Sequence, residues 1–137
     1  MSPISIGPGA LSELKDLSKW LSETTAMEQE QNNLFRCVDE ARHSKVTPLL
    51  EKLGFKIKGH GYKIWRITGK VPIKKTPDYR TLFFPLSVGT GPDSVASGEV
   101  QVAGEVLVPG TYVPITSPLT VDGRLDCLIV LLPDPTN

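Results

Sequence analysis

The first apolar pattern in the chain is helical. In ALSELKDLSKWLSE, Leu11, Leu14, Leu17 and Leu21 recur every three or four residues, with Trp20 beside them and charges opposite. After Thr24 and Thr25, MEQEQNNLFRCVDEARH reads as a second helix, polar at first and then apolar at Leu34, Phe35, Val38 and Ala41. Glu28 and Glu30 suit the positive end of its dipole, and Arg42 and His43 suit the other end. SKVTPLLEKLGF predicts a third helix. Ser44 is its expected N-cap, Pro48 falls in the first turn, and Val46, Leu49, Leu50 and Leu53 make the inner face. Gly54 stands where a left-handed C-terminal cap is wanted, with Phe55 folding back onto the helix.

Beyond this point the period shortens. Residues 55–58 and 62–67 are strand-like runs on either side of Gly59-His60-Gly61, which predicts a hairpin. RTLFFPL, EVQVAGEVLV and TYVPIT are further strand candidates, and residues 87–98 read as a loop. LTVDGRLDCLIVLL predicts a hairpin turning at Asp122-Gly123, and Pro109-Gly110 predicts another turn. The expected fold class is α+β, with N-terminal helices over about 10–53 followed by a β-rich C-terminal half over about 55–132 with hairpins. A single domain over 1–137 accommodates this, divisible into a helical piece (1–53) and a β-rich piece (55–137).

Charge changes the picture. Fifteen Lys and Arg balance fifteen Asp and Glu, yet the signs are segregated: −2 over residues 1–45, +7 over 46–80 and −5 over 81–137. The basic stretch contains GFKIKGHGYKIWRITGKVPIKK, where cations are interleaved with aromatic rings. In the expected hairpin, Lys56 and Lys58 share a face opposite Phe55 and Ile57. On the return strand Tyr62, Ile64 and Arg66 alternate with Lys63, Trp65 and Ile67. The candidate nucleic-acid-binding residues are Lys56, Lys58, His60, Tyr62, Lys63, Trp65, Arg66, Lys70, Lys74 and Lys75, with Arg80 extending the positive surface. Cations neutralise phosphates and displace counterions, while Tyr62 and Trp65 offer rings for stacking. An anionic membrane surface would be met by the same residue types, and so would plain solvent.

VTPLLEKLGFKIKGHGYKIWRITGK, preceded by two helical stretches, resembles the helix-to-wing junction of a winged-helix domain over about residues 11–70. The resemblance implies a third helix ending in Leu-Gly-hydrophobic and running into a glycine-tipped wing. It departs from the family in that third helix, where only Lys45, Thr47 and Lys52 are polar enough to face a groove and a proline intervenes. What it implies is backbone contact from the wing through Lys56, Lys58, His60 and Lys63.

No catalytic constellation accompanies this. Cys37 and His43 are six residues apart, roughly 600° of helical rotation, and so on different sides of a helix. No Gly-x-Ser-x-Gly elbow, phosphate loop or metal-ligand spacing occurs, so neither an enzyme nor a cofactor is expected. Cys37 and Cys127 read as free buried thiols, though their spacing alone also allows a disulfide. The longest apolar run, CLIVLL, is too short to span a bilayer. No charged-then-apolar leader is visible and residue 2 is Ser rather than Gly, so an intracellular location, cytoplasmic or nuclear, is expected. The acidic 81–137 stretch either neutralises the basic stretch within one fold or attracts a second copy, giving a homo-oligomer. Together these readings describe a non-enzymatic, self-associating RNA- or DNA-binding protein of a viral accessory or structural kind. The alternative is a matrix- or adaptor-type protein that meets an anionic membrane. Tyr79-Arg-Thr-Leu82 has the form of a tyrosine-x-x-leucine sorting signal, a pattern short enough to arise by chance.

Overall fold

The computed structural model describes residues 4–23, 26–55, 57–88, 101–102, 105–106, 110–116 and 118–133. Among the described residues two helices stand with nine strands: β1 (Ile4–Ser5), α1 (Pro8–Glu23), β2 (Met27–Gln31), β3 (Leu34–Cys37), α2 (Arg42–Leu53), β4 (Gly61–Ile73), β5 (Tyr79–Val88), β6 (Gln101–Val102), β7 (Glu105–Val106), β8 (Thr111–Ile115) and β9 (Leu119–Pro133). All pairings are antiparallel, in the order β1-β8-β5-β9-β4-β3-β2, with the β6–β7 pair attached to β9.

This overturns the expected division into an N-terminal helical part and a β-rich half. Strands begin before α1, and a hairpin stands between the two helices. Residues 27–37, read above as a helix, pair as β2 and β3 around Asn32-Asn33. Asn33 takes φ 65°, the left-handed conformation a short polar side chain tolerates. Met, Glu and Gln favour helix weakly, and tertiary pairing overrides them: β3 docks on β4 through Leu34–Ile67, Phe35–Arg66 and Arg36–Trp65. The charges at residues 28–30 and 42–43 therefore cap no common helix.

The two helices that do form follow their apolar spacing. Ala10, Leu14, Leu17 and Leu21 of α1 and Val46, Leu49 and Leu50 of α2 are buried. α2 begins at Arg42, with Asp39 Oδ1 accepting the Ala41 N–H, so Ser44 lies inside the helix and does not cap it. Its end is as expected. Gly54 has φ 76°, and the N–H of Phe55 donates to the Leu50 carbonyl at 2.9 Å.

The predicted 55–67 hairpin does not form. Residues 57–60 make a turn, and β4 pairs with β3 on one side and β9 on the other. Nor does the chain turn at Asp122-Gly123. β9 runs straight through it, with Gly123 opposite Gly69 and Asp122 in register with Lys70. The expected turn at Pro109-Gly110 is described only at Gly110, whose φ is 98°. Of the expected loop at 87–98, Ser87 and Val88 belong to β5 and the remainder lies outside the described residues.

Helices and strands share one core: the α1 and α2 residues pack with Cys37, Ile64, Leu82, Phe84, Leu86, Leu128, Val130 and Leu132. Phe84 stacks on Tyr112 at 4.8 Å between centroids, and Phe55 meets both rings edge-on. The opposite sheet face carries a second buried cluster made of strand residues, among them Ile67, Val71, Ile73, Phe83, Val113, Val121, Leu125, Cys127 and Ile129. Dryness on both faces explains why LDCLIVLL is apolar without alternation.

Chain reach requires the β4–β9 ribbon to bend. Ile73 stands opposite Leu119 and Tyr79 opposite Pro133. Six residue steps join Ile73 to Tyr79, at most about 22 Å. A straight β9 would hold its ends about 48 Å apart, more than that connection and two strand spacings can bridge. The ribbon therefore curls over its own face. The Gly69–Gly123 pair, with no Cβ on either strand, is the stretch that least resists bending.

Candidate anion-binding surface

β4 is the middle of the candidate surface, and its alternation sorts the cations between faces. Tyr62, Ile64 and Arg66 point to the helix side; Lys63, Trp65 and Ile67 point to the other.

Arg66 is occupied. Its Nε donates to Asp126 Oδ1 at 2.8 Å and its Nη2 to Asp126 Oδ2 at 3.3 Å. Nη2 also donates to the Leu21 carbonyl at 3.0 Å, serving the C-terminal end of α1. The hydrogen bond it donates to Asp126 raises the Arg66 pKa, against burial. Here the acidic β9 neutralises the basic β4 within one fold.

Tyr62 is no open stacking platform. It is half-buried against the helical core, its ring lies edge-on to His43, and its hydroxyl shares a hydrogen bond with His43 Nδ1. Burial pushes its phenol above the ordinary range. Trp65 is half-buried against the strand cluster, with Lys63 Nζ 5.5 Å from its ring centroid. Its indole Nε1 is buried without a hydrogen-bond partner.

The remaining cations separate. Lys58 is exposed in the turn, and His60 is fixed there by a 2.7 Å hydrogen bond between Nδ1 and the Ile57 carbonyl. Lys63 is exposed on β4. Lys70, Lys74 and Lys75 are exposed too, but Lys70 is about 23 Å further along the strand. Lys56 lies outside the described residues. The structure thus gathers Lys58, His60 and Lys63 at one end of β4 and leaves Lys70, Lys74 and Lys75 at the other.

Two cations that sequence reading assigned to a helix join the first group. β3 pairs with β4 only as far as Arg36–Trp65, and the chain then departs toward α2. The wedge that opens is a cleft of about 420 Å³ lined by Glu30, Arg36, Cys37, Val38, Arg42, Tyr62, Lys63 and Ile64. The Arg36–Glu30 pair is long, at 3.8 Å, and both side chains are well exposed. Arg42 Nη1 donates to the Asp39 carbonyl at 2.9 Å. Nothing in the local sequence distinguishes Arg36 and Arg42 as site residues, because the cleft exists only once β3 and β4 pair.

Cys37 and Cys127 are both free and buried, and desolvation raises both thiols. Among the described residues no group of His, Cys, Asp and Glu could hold a metal ion, and no helix is long and apolar enough to cross a membrane. No protein-family model matches the chain, and no curated protein matches it either.

Proposed function

We propose that the chain is a non-enzymatic binding protein for a polyanion, nucleic acid first, that works inside the cell. The binding surface is the N-terminal end of β4 and its neighbours: Lys58, His60, Lys63 and Trp65, joined by Arg36 and Arg42. The observation that carries this reading is the fate of the two cations flanking Trp65. Arg66 is consumed by Asp126, whereas Lys63 stands exposed over the indole and at the mouth of a cleft with two arginines. An exposed cation beside a ring is what a phosphate and its base require. Self-association belongs to the same proposal, through the basic middle of one copy and the acidic strands of another.

The test is fluorescence anisotropy of labelled single-stranded RNA and duplex DNA at low and near-physiological salt, with light scattering on the same stock. Binding should weaken steeply with salt and be lost on Lys58→Glu with Lys63→Glu, while Lys74→Glu with Lys75→Glu should matter less. Salt-insensitive binding, or binding untouched by the first pair of reversals, overturns the reading.

One observation favours a second reading, a matrix- or adaptor-type protein on an anionic membrane. Ile57 is 45% exposed beside Lys58, an apolar side chain at a cationic turn. Binding to anionic vesicles without affinity for RNA or DNA would select it.

A further inference from the structure

We infer that the wedge between β3 and β4 is a pocket for one phosphate monoester. The inference deepens the polyanion reading, yet it concerns a small ligand and can be tested without a polynucleotide.

The cleft has walls from four elements. Arg36 enters from β3, Arg42 from the first turn of α2, Lys63 from β4 and Glu30 from β2. Three cations and one carboxylate line the cleft, and the Asp39 carboxylate lies close enough to act on Cys37 beside Arg42. A phosphate diester carries a single negative charge, whereas a terminal monoester carries close to two at neutral pH. The three cations therefore attract a terminal monoester more strongly than an internal backbone phosphate.

The groups are also available to it. Arg36 is held to Glu30 by a long and exposed contact, a kind of ion pair that contributes little and can be exchanged for a bound anion. Arg42 gives one N–H to the Asp39 carbonyl, and a guanidinium has five in a planar fork suited to phosphate. α2 starts at Arg42, so the positive end of its dipole lies at the same place. Tyr62 and Ile64 line the cleft on the helix side of β4. Lys63 links the pocket to the Trp65 ring, so a nucleotide whose 5′-phosphate enters the cleft has a stacking surface within reach of the same lysine.

The experiment is an NMR titration of the intact chain at constant ionic strength with adenosine 5′-monophosphate, and with adenosine as control. The expected result is saturable, submillimolar binding of the monophosphate and none of adenosine, weakened about tenfold by Arg36→Gln or Lys63→Gln and unaffected by Lys74→Gln. Arg36 and Lys63 are exposed, so these variants should keep the parent spectrum elsewhere. No saturable binding of the monophosphate overturns the inference. So does equal binding of adenosine, or binding indifferent to both variants.

Anisotropy with 5′-phosphorylated and 5′-hydroxyl forms of one RNA then separates the two proposals. Equal affinity for the two forms removes the pocket from RNA binding and leaves the polyanion surface standing. Monophosphate binding without RNA binding does the reverse. Vesicles of phosphatidic acid against phosphatidylserine identify a lipid monoester as the source in that case.

Discussion

Arg66 and Asp126 face each other across β4 and β9, with the guanidinium forked onto the carboxylate and its Nη2 shared with the end of α1. Asp126 is nearly buried, its side chain only 6% exposed, against 30% for Arg66. A half-removed pair of this kind leaves a carboxylate without its partner in a dry place. Arg66→Ala should cost about 3 kcal/mol in urea unfolding, the lower end of the range for buried pairs because Arg66 retains some solvent. Arg66→Lys should recover part of that, since a lysine keeps the charge and loses the fork. A loss within experimental error of zero would show that the pair does not hold β4, β9 and α1 together.

A side chain on Gly69 would press on Asn33. A Cβ there would lie 2.8 Å from Asn33 Cγ, at the turn between β2 and β3. Gly69→Ala should therefore push the Asn33 side chain off the Lys70 carbonyl and destabilise by about 1 kcal/mol. Asn33→Gly removes the obstructing side chain and suits the positive φ, so the double variant should be more stable than the sum of the two changes predicts. A double-mutant cycle in denaturant measures the coupling, and strict additivity would refute the contact.

Cys127 is wholly buried, and desolvation holds its thiol far above the ordinary 9.0. A group whose folded pKa is raised contributes stability that is complete below its unfolded value and fades as pH climbs through the folded one. Stability should then be flat up to about pH 9 and fall above it, by up to ~1.4 kcal/mol per pH unit for one thiol. Cys127→Val should flatten that fall, and the raised Cys37 should leave a remainder. Denaturant midpoints between pH 7 and 10.5 check it. An unchanged slope in the variant would contradict the burial.

Gly54 closes α2 in the left-handed region. Gly54→Ala should cost about 1 kcal/mol, because a Cβ disfavours that conformation while the space around it is open. Thermal unfolding of the two proteins decides, and no change in Tm would mean that the cap is not held.

For the binding surface, Lys63→Ala should weaken RNA binding to a similar degree across sequences and reduce the slope of log K against log salt by about 0.7 for a single strand. Lys74→Ala, at the other end of β4, should leave both nearly as they were. If the two substitutions act alike, the surface is diffuse and not centred on Lys63.

The parts whose physics is local are legible in the amino-acid sequence. The three- and four-residue spacing of Leu14, Leu17 and Leu21 suffices for α1, and glycine after Leu53 suffices for the end of α2. The apolar runs RTLFFPL and LDCLIVLL announce buried strands. Tertiary structure decided what depends on partners. MEQEQNNLFRC becomes a hairpin because β4 offers it an edge, and Asp122-Gly123 stays extended because Lys70-Gly69 lies alongside. Arg66 and Lys63 look equivalent in the sequence, three residues apart in one basic run. Strand alternation sends them to opposite faces, and only the register that sets Asp126 against Arg66 neutralises one charge and leaves the other exposed.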